Sequence, residues 1–212
     1  MPRPLPNQWG VAPCLDLINT RWSDHVGSGV FHDRLPLSQW RRAFLRQWGY
    51  RVADPDDASA RSQMVRLRGL LRATLESYMS TGRLSPGLRR RLEKEVNRAP
   101  FVLRIAGAGG MDGLVLERAG AAWDVVLADV ATSAARLIGE RRVVKVCANP
   151  SCTWMFVDES RSGSRRWCDV SICGSLINVR RHRGLAPEPA DSRRPGPRPG
   201  GATHKSRSTP RR

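Results

Sequence analysis

Lysine is nearly missing from this chain: of 36 basic residues only Lys94, Lys145 and Lys205 are lysines. Acidic residues are also scarce, 19 against 36, which leaves a net charge of +17. A codon preference for arginine accounts for the first shortage but not for the second. A balance this basic favours polyanionic partners, meaning DNA, RNA or an anionic surface. No window of 18 apolar residues occurs, so neither a membrane span nor a membrane partner is expected. The opening MPRPLPNQWG has no apolar core of the signal-peptide kind, and the cytoplasm is the expected location, nucleoid-associated if DNA is the partner. In that compartment thiols stay reduced, and clustered cysteines point to metal before disulfides.

Catalytic signatures are missing too. The glycine-rich GAGG at 107–110 lies between two strand-like segments with no helix after it, which is the wrong context for a phosphate loop. No nucleophile elbow or metalloprotease motif occurs, and no enzyme is expected. His25, His32, Asp24 and Asp33 crowd into SDHVGSGVFHDR, yet no second cluster completes a metal or acid–base site. A polar loop is the simpler reading.

What is present is enough for one good core plus a small appendage. LDLINTRW (15–22) reads as a short helix, and 37–50 as another, with Trp40, Phe44, Leu45 and Trp48 at helical spacing. A longer helix is predicted over 59–80. Its stripe of Met64, Leu67, Leu71, Leu75, Tyr78 and Met79 is interrupted by Arg68, with Ser62, Arg66, Gly69, Ala73 and Ser77 opposite. Ser85-Pro86 should cap a helix carrying Leu88, Leu92 and Val96. FVLRI (101–105) and LVLER (114–118) alternate and suggest a hairpin, and helical spacing resumes from Trp123 to Ile138. The expected fold class is α+β, mainly α. Residues 1–140 form a helical domain with one hairpin, 141–183 a small cysteine module, and 184–212 a basic Pro/Gly/Arg-rich tail expected to be disordered.

Cys147 and Cys152 are separated by four residues, as are Cys168 and Cys173, with 15 between the pairs. Zinc takes four thiolates in a tetrahedron about 2.3 Å from the metal, and two short loops can each supply two. This paired spacing favours one zinc ion over a disulfide module or buried free thiols. A shell filled by four cysteines is closed, so the metal is structural. Asn149-Pro150 gives the first loop a tight turn. The insert predicts a hairpin, TWMFVD leading out and RRWC leading back, and a helix carrying Leu176, Ile177 and Val179 follows. Knuckle, hairpin and helix make a treble-clef-like order. Cys14 is left over as a small apolar core residue.

The stretch VCANPSCTWMFVDESRSGSRRWCDVSICG resembles the CGNR zinc-finger family of bacteria. CLDLINT (14–20) and the helices after it resemble the domain that accompanies that finger. The resemblance implies a stress-induced transcription regulator. It departs at the signature itself, where Cys173-Gly174-Ser175-Leu176 stands in place of Cys-Gly-Asn-Arg. Asp16, Asn19 and Thr20 fall on a family-like LDxxNT pattern, for which two roles are open. Asp16 and Asn19 could line a small-molecule pocket that makes the helical domain a sensor, or they could cap the first helix.

Positive charge is densest toward the end: 141–183 holds nine basic and three acidic residues. Arg161, Arg165 and Arg166 precede the second cysteine pair, and Arg180, Arg181, His182 and Arg183 end the last helix. Arginine forks suit phosphate oxygens, so these seven residues are the candidate nucleic-acid contacts. On a helix Arg180 and Arg183 share a sector. Trp154, Phe156 and Trp167 could stack on bases but fit better as the module's own small core. Three functions stay open: a DNA-binding regulator, an RNA-binding protein, or a zinc-stabilised protein–protein adaptor. Dimerisation is a further candidate role for the helical domain.

Overall fold

Local chemistry sets the helix ends in the computed structural model, which describes residues 9–108 and 111–185. Helix α1 (Pro13–Ile18) opens on Pro13, whose fixed φ suits a first turn. Helix α2 (Ser38–Gln47) and the long α3 (Ala58–Thr81) follow. Asp57 accepts the Ala60 N–H to start α3, and Gly82 ends it at φ 67°, returning its N–H to Tyr78. Ser85 caps α4 (Pro86–Val96) by accepting from Leu88, as its sequence predicts. Helix α5 (Ala122–Gly139) completes the helical body.

Three antiparallel pairs are added to these helices. Strands β1 (Arg21–Ser23) and β2 (Phe31–Asp33) form a short pair. Strands β3 (Phe101–Ala108) and β4 (Met111–Arg118) form a hairpin three residues longer on each strand than alternation predicts. Strands β5 (Val144–Val146) and β6 (Met155–Val157) flank the first cysteine pair. A π-helical turn (Val170–Gly174) then leads into α6 (Ser175–His182). The architecture is therefore α+β and mainly helical. All but the first two residues of the tail expected to be disordered lie outside the described residues.

The core is built from the predicted stripes. Leu15, Leu17 and Ile18 of α1 are sealed among Phe44, Met64, Leu71, Leu75, Leu127 and Val130. Truncating any of these leucines to alanine would cost about 3 kcal/mol. Cys14 is fully buried here, its thiol pushed up to about 12 by desolvation, which makes it an inert packing residue. Val144, Met155 and Val157 enter the same cluster, so the strands of the cysteine module pack into the helical domain's core.

Two features differ from expectation. Arg68, which interrupts the α3 stripe, is buried rather than excluded from it. Its guanidinium forks onto Asp33 at 2.7 Å on both oxygens and donates to Thr20 Oγ1 at 2.7 Å. The interruption is thus an internal ion pair that ties α3 to β2 and to the turn after α1. The partner of Met155–Val157 also differs. It is β5 upstream, not the returning segment RRWC, and no strand occurs over 158–168. The buried Asp158 side chain organises that segment instead. One oxygen accepts from Ser160 N and Oγ, the other from Lys145 Nζ and Arg165 N. Burial opposes its ionisation, but the bonds from Lys145 and Ser160 hold its pKa down to about 2.

Removing one member of a buried pair strands the other charge. Asp33→Ala is expected to cost roughly 3 kcal/mol in chemical denaturation, more than the matched Arg68→Met. Equal losses from the two variants would contradict this account of the α3 stripe.

Candidate metal centre and its surroundings

Each cysteine pair sits in a loop whose shape follows from its neighbours. Cys147 continues the β5–β6 ladder, its N–H donating to Trp154 O at 2.9 Å. The chain then turns back, Cys152 N–H donating to Asn149 O at 2.8 Å. Asn149 is fully buried: its Oδ1 accepts from Ser151 N, and its Nδ2 donates to His25 O at 3.1 Å and lies 3.5 Å from Cys173 Sγ. In the second loop, Asp169 accepts from Ser171 N at 2.7 Å and Ile172 N at 3.1 Å, starting the π-helical turn. Gly174 follows the last cysteine because a Cβ there would lie 3.1 Å from Trp167 Cδ1.

These loops bring four sulfurs within 4.8 Å of one another. Cys152 and Cys168 Sγ are 3.8 Å apart, and Cys168 and Cys173 Sγ 3.7 Å. Sulfurs placed about 2.3 Å from a tetrahedral ion are separated by about 3.8 Å, whereas a disulfide needs about 2.05 Å. The donor set and its spacing fit one structural zinc ion held by Cys147, Cys152, Cys168 and Cys173. Hydrogen bonds from Cys147 and Cys152 hold the Cys173 thiol far below its usual range, while the bond with Cys147 drives Cys168 upward. Four thiols this close cannot all ionise alone, and a dication removes that conflict.

The metal site has its own small core. Phe156, Cys147, Cys152 and Cys173 are buried, with half-buried Cys168, Trp154, Trp167 and Ile172 packed around them. The three aromatics are therefore the module's packing, as their sequence context suggests. Arg165 lies over Phe156, its Cζ 4.7 Å from the ring centroid.

The stretch 23–34, read from sequence as a polar loop, holds strand β2 at its end, and its residues 24–30 are part of this site. His25 Nδ1 lies 3.5 Å from Cys173 Sγ, and Arg180 donates to Val26 O. Gly27 adopts φ +80°, and a Cβ there would meet Ser151 Oγ at 2.8 Å. The other members of that sequence cluster are dispersed. Asp24 accepts from Gly27 and Ser28, Asp33 pairs with Arg68, and His32 stacks on Trp22 at 5.0 Å. Among the described residues only the four cysteines form a candidate metal cluster. His25 and Asn149 thus support the ligands from outside the shell. Spacing alone could not reveal His25, which lies 148 residues from Cys173.

Asp16 and Asn19 both border a cavity of about 290 Å³ between α1 and β6, with Trp9, Trp154 and Arg165 among its other walls. Neither residue caps the start of α1, where Ala12 supplies no side-chain bond. Asp16 sits inside the helix and accepts from Gly10 N at 2.5 Å and Trp48 Nε1 at 2.9 Å. Burial raises its pKa to about 7, against those two bonds. Asn19 ends the helix and clasps Met155, Oδ1 accepting its N–H and Nδ2 donating to its carbonyl, both at 2.8 Å. Thr20 Oγ1 donates to Leu17 O and accepts from Arg68. The LDxxNT pattern therefore joins α1 to the cysteine module and to α3.

The seven basic candidates divide. Arg165 donates to Trp167 O and Cys168 O, and half-buried Arg180 holds residue 26. Arg180 and Arg183 are thus not equivalent despite their shared sector. Arg166 lies over Trp167, 5.3 Å from its centroid. Arg161, Arg181, His182 and Arg183 are exposed, and their side chains have no hydrogen-bond partner among the described residues. Ser175, at the signature departure, is exposed, and Leu176 half-buried.

Fold and site together define a helical domain that carries a structural four-cysteine zinc finger. Comparison with known families agrees on both parts: residues 143–184 match the CGNR zinc finger, and residues 11–141 match the family described as "Putative stress-induced transcription regulator" (ABATE). The chain belongs to the ABATE family of regulators with a C-terminal CGNR finger. A search of curated proteins finds no match.

Two measurements check the site. Elemental analysis should give one zinc per chain, and His25→Ala should retain it roughly tenfold less well against a chelator, as loss of an outer-shell partner does. Unchanged release kinetics would remove His25 from the site. The second concerns Asp16, whose folded pKa lies above its unfolded value, so its ionisation opposes folding. Relative to Asp16→Asn, the native chain should lose stability as pH rises from about 4 through about 7. A pH-independent difference would show that Asp16 ionises freely in the fold.

Proposed function

We propose that this protein is a transcription regulator that binds duplex DNA through the exposed basic residues of its zinc finger. The observation that carries the reading is a local charge imbalance. All three acidic residues of the finger region are already engaged: Asp158 by Lys145, Glu159 by Arg142, and Asp169 by the turn it starts. Arg161, Arg181 and Arg183 remain unmatched among the described residues. A surface with arginine forks free and its acids already bonded suits a polyphosphate backbone. Arg165 and Arg180 contribute to the same field while holding the finger's shape.

Phosphate contacts of this kind give salt-dependent affinity and position a protein without reading bases. Affinity for duplex DNA should fall steeply with salt, and Arg181→Gln combined with Arg183→Gln should lower the log–log salt slope by about 2. The zinc content of that variant should not change. Absence of binding to duplex and single-stranded probes at low salt would favour the adaptor reading, and preference for single-stranded RNA the RNA-binding reading.

A further inference from the structure

The β3–β4 hairpin leaves one face bare. Its register pairs Leu103 with Leu116 and Ile105 with Leu114, which places these four side chains, with Phe101 at the base, on the same side. They are 66%, 60%, 75%, 70% and 44% exposed respectively. The base is anchored: the Arg118 side chain is buried, bonds Val96 O, Ala99 O and Asp129, and lies 4.2 Å from the Phe101 centroid. Beyond that base no other described element packs substantially on either strand. A two-stranded ribbon without a packing layer is marginal in water, so this one lacks the layer its own pattern calls for.

We infer that a second copy of this chain covers the face, hairpin against hairpin, to form a two-fold dimer. The five side chains expose on the order of 600 Å² of apolar surface, at the upper end of the largest patch on ordinary monomers and approaching the ~800 Å² one partner gives to a standard interface. The face carries two successive aliphatic cross-strand pairs, which suits the apolar patch-on-patch contact of a two-fold interface. Charge points the same way. In a chain of net charge +17 most surfaces repel a second copy, but among the described side chains of this face no charge is free, because the Arg118 guanidinium is folded onto Asp129. The chain's own tail is unsuited to cover it, since Leu185 is the sole large apolar residue in 184–212.

This dimer does not depend on DNA binding. Sedimentation of the full zinc-loaded chain from low to high micromolar concentration should give twice the 23.6 kDa chain mass. Leu103→Glu with Leu116→Glu should give the single-chain mass while helical circular dichroism and zinc content stay unchanged. Leu103→Ser with Leu116→Ser provides a gentler version should the charged pair unfold. Val65→Glu, at an exposed apolar position on α3, should remain dimeric. A single-chain mass for the native protein across that range, or a dimer that survives both hairpin variants, overturns the assignment. So does a native monomer whose hairpin binds only a different protein.

Discussion

Four sulfurs within 4.8 Å of one another impose the condition that the rest of this molecule meets. Thiolates so close repel unless a cation sits among them, and the loops that carry them have little apolar surface of their own. Most of the finger's geometry serves that condition. Asn149 turns the first loop, Asp169 starts the second, Gly174 makes room for Trp167, and Asp158 gathers the segment between them. Small zinc modules draw their folding energy from the metal. This one has a second source, because β5 and β6 are rooted in the core of the helical domain.

The helical domain and the finger are therefore parts of one packed body rather than units on a string. Asn19 grips Met155, Ser23 bonds Ser151 and Thr153, Arg72 reaches Thr153 O, and residues 25–27 lie against Asn149, Cys173 and Arg180. The seam is largely polar and includes backbone groups that would otherwise be orphaned.

Much of this was legible from residues alone, for physical reasons. Helix stripes and the Ser85-Pro86 cap are local signals, and both appear where their spacing places them. Cysteine spacing is also local within each loop, so the metal site could be read directly. What escaped were long-range choices. Arg68 looked like an interruption because its partner Asp33 is 35 residues away. The β6 partner was misplaced because a strand pattern says nothing about which neighbour it will choose. His25 and Asn19 looked like loop and cap residues, since nothing in a sequence window reports a contact more than 130 residues distant.

The Asn19 clasp has one more effect. In the antiparallel pair, Trp154, Phe156 and Asp158 face β5, so the Met155 N–H and carbonyl point to the opposite, outer edge of β6. An open strand edge is a template on which a foreign strand can add itself. Asn19 presents an amide that mimics one peptide unit of such a strand and satisfies both groups at once. A single side chain thus closes the sheet at its edge and guards the finger against strand addition, which a small sheet held by only two short strands would otherwise invite.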